Sequence, residues 1–413
     1  MRILVDQSGY ELLNLGDVAM LQSCVTRLRQ LWPEAEILAI SHAPERMAGY
    51  CPGTLGIGLA VADLPPVRLL PRKTRLALEQ AWRITGPYVS GRRHAGRPRT
   101  AVPRTPIQAV QAADLVVASG GGYVTDSWWY HAAGVLGVLS LAQRLGKPTA
   151  MFGQGIGPIR GRTLRRHASG VLPGLAVLGL REGRIGREVA LSLGTPPGAI
   201  KITGDDAMEL VGGTSAPPGE ALGLSMRVSG YAGVDAAAAA AVAEPVLGAA
   251  RALQAPVVAL PVSRYAGDGD LSAIRALFGA GGSRAEIVLS DLATPAELVA
   301  AAAGCRAIVT GSYHAAVFGL AQGVPAVCLT RSSYYDAKFA GLAELFPTAC
   351  FVVSLAEPEL ARRLRTAIDT AWHLPAEDRD AARQAAVQQR DAGREAYAQF
   401  QRTVEDGSFH RRK

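Results

Sequence analysis

Apolar residues fall in short continuous runs, separated by longer stretches of mixed polarity, along nearly the whole chain. Runs at 2–6, 36–40, 114–118, 148–152, 175–180 and 199–203 predict one series of strands. Runs at 222–226, 256–260, 286–289, 306–310, 325–329 and 350–353 predict a second. Strands that are apolar on both faces and alternate with helix-length segments predict parallel sheets covered on both sides. The stretch 211–219, rich in Gly, Pro, Ser and Thr, breaks the rhythm and reads as a linker.

The pattern therefore predicts an α/β protein with a Rossmann-like domain over 1–210, a second over 220–372, and a helical tail over 373–413 that crosses back to the first half. Two Rossmann-like domains facing a cleft give a GT-B-like architecture, with the first domain expected to bind the acceptor and the second the donor. Such a fold does not by itself specify a reaction.

Composition narrows this picture. The chain has 413 residues and is 49% hydrophobic, enough for two buried cores. It opens on Met1-Arg2 and an apolar strand rather than a secretory signal, and no apolar run is long enough to span a bilayer. The five cysteines (Cys24, Cys51, Cys305, Cys328, Cys350) show no CxxC spacing and read as reduced thiols of a cytoplasmic protein. The net charge of +8 is concentrated. Ten basic residues lie between Arg68 and Arg104 against a single acid, Glu79. This basic insertion, 67–106, includes an amphipathic helical pattern over 72–84. It reads either as a solvated insertion or as a contact with an anionic acceptor or with lipid head groups at the inner membrane face.

Chemistry gathers where strands end. After the run at 306–310 comes Gly311-Ser312-Tyr313-His314, which opens an apolar helix. A helix N-terminus at the carboxyl end of a parallel strand attracts anions, and His314 on its first turn can move a proton beside one. Arg227 ends the strand at 222–226, Arg264 follows the next, and Lys338 starts a later helix. With Ser312 they are expected to form an anion pocket. In the first half, Asn14 and Asp17 open the first helix, Gly121 and Gly122 belong to a three-glycine turn, Gln154 lies in Gly-Gln-Gly, and Asp205 lies in Thr-Gly-Asp-Asp. These six are expected to face the acceptor. Adjacent carboxylates such as Asp205 and Asp206 point apart, so no metal site is expected. The other six histidines receive no role. A Ser-His-Asp hydrolase is disfavoured because no GxSxG elbow is present.

The ordered set of NxGD, GGG, GQGIGP, Leu180-Arg181, TGDDA and SxxHAxxFxLxxGVPxV with a lysine beyond resembles the polysaccharide pyruvyl transferase family over about residues 1–345. The resemblance implies a GT-B-like fold and metal-independent transfer of a pyruvyl group from phosphoenolpyruvate, as co-substrate without further cofactor, onto the hydroxyls of a saccharide or saccharide-like, lipid-linked or free, precursor. It implies His314 as the proton-transferring residue and Arg227 as a holder of the donor's anionic groups. The local concentration of basic charge, with the rest of the chain near neutral, argues for a local anionic partner and against a nucleic-acid one. The family commonly carries Arg-x-His where this chain has Ser312-Tyr313-His314. A guanidinium missing from a doubly charged donor site costs on the order of 2–5 kcal/mol unless another cation, Arg264 or Arg331, replaces it. Two alternatives remain: a glycosyltransferase with a nucleotide-sugar donor, and a non-catalytic carbohydrate-binding homologue.

Overall fold

The computed structural model describes residues 1–58, 102–212, 218–228, 233–266, 269–279 and 287–407. Residues 67–101 of the expected basic insertion, including the expected helix over 72–84, lie outside them, as do residues 213–217 of the linker. Fourteen strands are described. β1 (Arg2–Asp6), β2 (Glu36–Ile40), β3 (Leu55–Ile57), β4 (Leu115–Ala118), β5 (Gly121–Val124), β6 (Thr149–Ile156), β7 (Val177–Leu180) and β8 (Ile200–Ile202) form one sheet. β9 (Ala221–Ser225), β10 (Val257–Ala259), β11 (Ile287–Val288), β12 (Cys305–Thr310), β13 (Ala326–Thr330) and β14 (Cys350–Ser354) form the other.

Every pairing between these strands is parallel, and the order repeats. The first sheet runs β3-β2-β1-β4-β6-β7-β8, with β5 beside β6, and the second runs β11-β10-β9-β12-β13-β14. Each is the doubly wound order in which the chain reverses direction across the sheet next to its first strand. The reversal opens a crevice beyond the carboxyl ends of β1 and β4 in one sheet, and of β9 and β12 in the other. Helices start where the sequence supplies caps. Thr105, Asp235 and Thr294 each accept a first-turn amide, and Glu297 completes a capping box with Thr294.

The chain divides into two compact units. The first comprises Met1–Leu12, Met20–Asp206 and Ala392–Lys413, and the second Leu13–Ala19 and Ala207–Asp391. These boundaries differ from a simple division by sequence. The opening turn of the helix Leu15–Leu31 counts with the second unit, and the expected tail, which forms one helix Ala376–Glu405, is shared between the two. The chain also holds two strands that hydropathy did not predict, β3 and β5. Expected to be a turn, the three-glycine stretch instead enters β5, because small residues let the backbone run extended where side chains are crowded. A Cβ on Gly121 would lie 2.4 Å from the Tyr123 ring and 2.6 Å from the Ser8 Cβ.

In the first unit the end of the last helix packs on the sheet. Tyr397 stacks on Phe152 with ring centroids 3.6 Å apart at 13°, and Phe400 meets Trp32 edge-on. The Tyr397 hydroxyl donates to Asp206 Oδ2 at 2.9 Å, and Arg27 Nη1 donates to Asp206 Oδ1 at 3.0 Å. All three side chains are buried. Burial pushes the Asp206 carboxyl up, while the Arg27 guanidinium and the tyrosine hydroxyl oppose it. Arg181 pairs with Asp205 at 3.4 Å, also out of solvent. All five cysteines are free and buried, and burial pushes the Cys24 and Cys305 thiols to about 12.

A buried acceptor that loses its donor keeps its desolvation cost. Tyr397→Phe is therefore expected to destabilise the protein by about 1.5–3 kcal/mol, a hydrogen bond to a charged group, as read from urea unfolding. A loss below about 0.5 kcal/mol, the range of an ordinary surface substitution, would contradict this role for the hydroxyl.

Candidate active site

In the second unit, β9 and β12 pair so that Ser225 lies opposite Thr310, and Gly311 donates its amide to the Ser225 carbonyl at 2.9 Å. The chain beyond each strand therefore starts from one point at the switch in strand order. From β9 it reaches Arg227; from β12 it reaches Ser312 and the helix Tyr313–Leu320, with His314 on the first turn. Thr310 Oγ1 accepts the Ser312 amide at 2.8 Å and donates to the Ser312 carbonyl at 2.9 Å, which fixes the turn into the helix. Ser312 is the N-cap residue in extended conformation, yet its hydroxyl makes no capping bond. First-turn amides have no partner within a helix, so they face the crevice as anion donors.

Residues Leu13–Ala19 complete this end of the second unit. Asn14 bridges Ser263, the Leu15 amide donates to the Val262 carbonyl at 2.9 Å, and the Arg264 amide donates to the Leu13 carbonyl at 2.7 Å. Asn14 Oδ1 accepts the Gly16 and Asp17 amides at 3.0 and 3.2 Å, so it caps the helix Leu15–Leu31. Gly16 packs directly on His314. A Cβ built on Gly16 would lie 2.0 Å from both Cγ and Nδ1 of the imidazole. The structure thus brings Asn14 and Asp17, expected on the acceptor side, into the same unit as the histidine. His314 is 8% exposed and has Tyr313 edge-on at 5.8 Å and Phe318 at 6.5 Å between ring centroids.

The expected cations differ in placement. The Arg227 guanidinium lies over the Tyr265 ring, 5.8 Å from its centroid. Arg264 turns toward Asp291 at 3.7 Å and the Ala293 carbonyl at 3.4 Å. Arg331 pairs with Asp235 at 3.4 Å, and Asp235 is held below the usual carboxylate range first by the Ala238 amide it accepts. Lys338 is packed within a cluster of tyrosines. Its ammonium is 5.1 Å from the centroid of Tyr313, 4.7 Å from that of Tyr334 and 5.1 Å from that of Tyr335, and it donates to the Tyr334 hydroxyl at 3.2 Å. Because Tyr313 neighbours His314 on the helix, Lys338 is the cation that the packing places beside the histidine turn.

In the first unit, Gln154 and Asp205 have structural partners. Gln154 is fully buried within β6 and donates through Nε2 to the Ser119 and Phe152 carbonyls at 2.7 and 3.0 Å. It thereby ties β6 to the end of β4, while Asp205 is held by Arg181. Gly121 and Gly122 lie in β5. Beyond the carboxyl end of β1, Asp6 Oδ1 accepts the Tyr10 hydroxyl at 2.7 Å. Tyr10 stacks on His131 at 4.6 Å, Tyr123 meets His131 edge-on at 4.7 Å, and His131 Nε2 lies 3.1 Å from the Gln7 carbonyl. His131, given no role from sequence, therefore sits at the switch point of the first sheet.

Four further polar atoms at strand ends were not singled out from sequence. Ser225 Oγ, Ser263 Oγ, Ser119 Oγ and Gln7 Oε1 are buried with no hydrogen-bond partner among the described residues. The only sequence signal for them was a polar residue at or shortly after the end of an apolar run. Among the described residues no group of three metal-ligating side chains is clustered.

The Gly16 contact has a direct test. Gly16→Ala forces the imidazole or the helix start to move. It is expected to destabilise the protein by about 1–3 kcal/mol in urea unfolding and to change the His314 resonance in histidine NMR spectra. A parental midpoint with an unchanged resonance would show that the two groups do not touch.

The fold has wide company. The chain aligns with a Listeria monocytogenes protein assigned as a UDP-N-acetylglucosamine 2-epimerase at 12% identity and TM-score 0.64, covering 98% of this chain and 97% of that one. It aligns with UGT89C1 of Arabidopsis thaliana complexed with UDP at 11% identity and TM-score 0.59, covering 98% and 99%. It aligns with the calicheamicin glycosyltransferase CalG4 at 14% identity and TM-score 0.53, covering 99% and 98%. At these identities the likeness shows the fold, two Rossmann-like domains of the GT-B kind. No curated protein matches the sequence. A family profile for polysaccharide pyruvyl transferases matches residues 14–333, a span that begins at Asn14 and takes in Arg227 and His314. The chain belongs to the polysaccharide pyruvyl transferase family.

Proposed function

We propose that the protein transfers a pyruvyl group from phosphoenolpyruvate to two hydroxyls of a saccharide or saccharide-like acceptor, forming a ketal and releasing phosphate. The observation that carries this reading is the placement of His314 on the first turn of a helix at the switch point of the second sheet, with Arg227 leaving the neighbouring strand. The donor brings a carboxylate and a phosphate. First-turn amides and Arg227 suit those anions, and the Ser225 and Ser263 hydroxyls offer further hydrogen bonds. Lys338 supplies the positive charge that Ser312 does not.

The chemistry needs one well-placed proton carrier. Protonation of the donor's methylene carbon makes its C2 electrophilic, and an acceptor hydroxyl adds there and gives its proton to the base. The C2–O bond to phosphate then breaks, and the second hydroxyl closes the ketal. One acceptor proton ends on the new methyl group and the other on phosphate, so the balance is met without an external acid. His314 serves as the acid and then the base, a role for which imidazole is suited near neutral pH. Its burial limits competing attack by water.

Asn14 and Asp17 stand beside His314 and are assigned to the hydroxyls that react. The nucleotide-sugar reading draws on fold likeness alone.

Incubation with phosphoenolpyruvate and a panel of saccharides bearing neighbouring hydroxyls is expected to release phosphate. His314→Ala is expected to lower kcat by about 10²–10⁴ while saccharide binding survives. Arg227→Ala should act mainly on the KM for phosphoenolpyruvate. Nucleoside diphosphate release from a nucleotide sugar, with none from phosphoenolpyruvate, would contradict the assignment.

A further inference from the structure

A second surface, in the first unit, combines exposed aromatic rings with positive charge. Trp128, Trp129 and Tyr130 are consecutive at the start of the helix Trp129–Arg144 and are exposed by 41%, 37% and 46%. The rings of Trp129 and Tyr130 lie 3.6 Å apart at 31°. Large aromatics are expensive to leave in water, and three in a row form a patch rather than scattered exposure. Beside them runs the helix Arg162–Ser169, which carries Arg162, Arg165, Arg166 and His167 and no acid. Asp126, in the turn that leads into Trp128, accepts the Arg160 and Gly161 amides at 2.5 and 3.1 Å. That bond pair fixes the start of the basic helix next to the aromatic turn.

Two observations point to what this face meets. Among the described residues, Arg160, Arg162 and Arg166 make no ion pair. A cavity of about 710 Å³ separates the two helices, with Arg162, Arg166 and His167 on one wall and Ala133, Leu136 and Ser140 on the other. Its size is that of a small-molecule site, and its lining grades from cationic to apolar. Indole and phenol rings favour the boundary between head groups and acyl chains, and neighbouring arginines favour phosphodiesters. We propose that this face docks the protein on an anionic phospholipid surface, with Trp128, Trp129 and Tyr130 at the head-group boundary and Arg162 and Arg166 on lipid phosphates.

The test uses the full chain with vesicles of phosphatidylglycerol mixed with phosphatidylcholine, compared with phosphatidylcholine alone. Co-sedimentation is expected only with the mixed vesicles and should weaken as salt rises. Arg162→Ala with Arg166→Ala is expected to reduce partitioning roughly 25-fold, near fivefold for each lost charge. These side chains are exposed, so unchanged thermal unfolding will confirm that both variants fold. Brominated phosphatidylglycerol gives a direct readout. Its quenching of tryptophan fluorescence should persist in Trp82→Phe and vanish when Trp128 and Trp129 are both replaced by Phe. Absence of binding to the mixed vesicles, or binding that both arginine substitutions leave intact, would overturn the proposal. So would quenching that disappears with Trp82→Phe.

Discussion

The site in the second unit depends on one close contact, the imidazole of His314 against the Cα of Gly16. No side chain fits between them: a Cβ would be 2.0 Å from two ring atoms. The contact requires glycine at position 16, and it requires the opening of the first helix to dock on the end of β10. The hydrogen bonds from Leu15 to Val262 and from Arg264 to Leu13 provide that docking. A segment from the start of the chain thus becomes part of the unit built mainly from residues beyond 206. The NxGD motif is explained by this geometry, because Asn14 caps the helix, Gly16 admits the histidine, and Asp17 stands on the same turn.

Charge is handled differently in the two units. In the first unit the two adjacent carboxylates beyond β8 are each matched by a buried arginine, Asp206 by Arg27 and Asp205 by Arg181. Breaking such a pair leaves an uncompensated charge, so these residues are held in place by the cost of losing a partner. In the second unit the cations are spread over aromatic rings and rim carboxylates. Arg264 and Arg331 pair with exposed acids, where an ion pair contributes little, whereas Lys338 is surrounded by three tyrosine rings beside the histidine helix. Lys338, from a different helix, thus packs on the ring of Tyr313, the residue that follows Ser312.

Much of this was legible in the sequence. Twelve of the apolar runs became strands within a few residues of their predicted ends, because parallel strands buried on both faces carry a strong, unmixed signal. β3 escaped because Leu-Gly-Ile is short and carries a glycine. β5 escaped because glycines at a strand end read as a turn, although here they form a crowded strand. Gln154 donates through Nε2 to the Ser119 and Phe152 carbonyls, a pairing that local pattern does not encode, while its buried Oε1 has no hydrogen-bond partner among the described residues. His131 was passed over because its value comes from Tyr10 and Tyr123, residues distant in sequence. The grouping of Asn14 and Asp17 with His314 was likewise a tertiary fact. What sequence did supply was the register of polar residues at strand ends, and the structure shows which of these have protein partners.

The most direct test of the account is a titration of the isotopically labelled protein with phosphoenolpyruvate, followed through the histidine ring resonances. The account predicts that the His314 resonance, identified by its loss in His314→Gln, shifts on binding and that its pKa rises beside the donor's negative charge. A titration in which every histidine resonance stays fixed, or in which only histidines of the first unit respond, would contradict it.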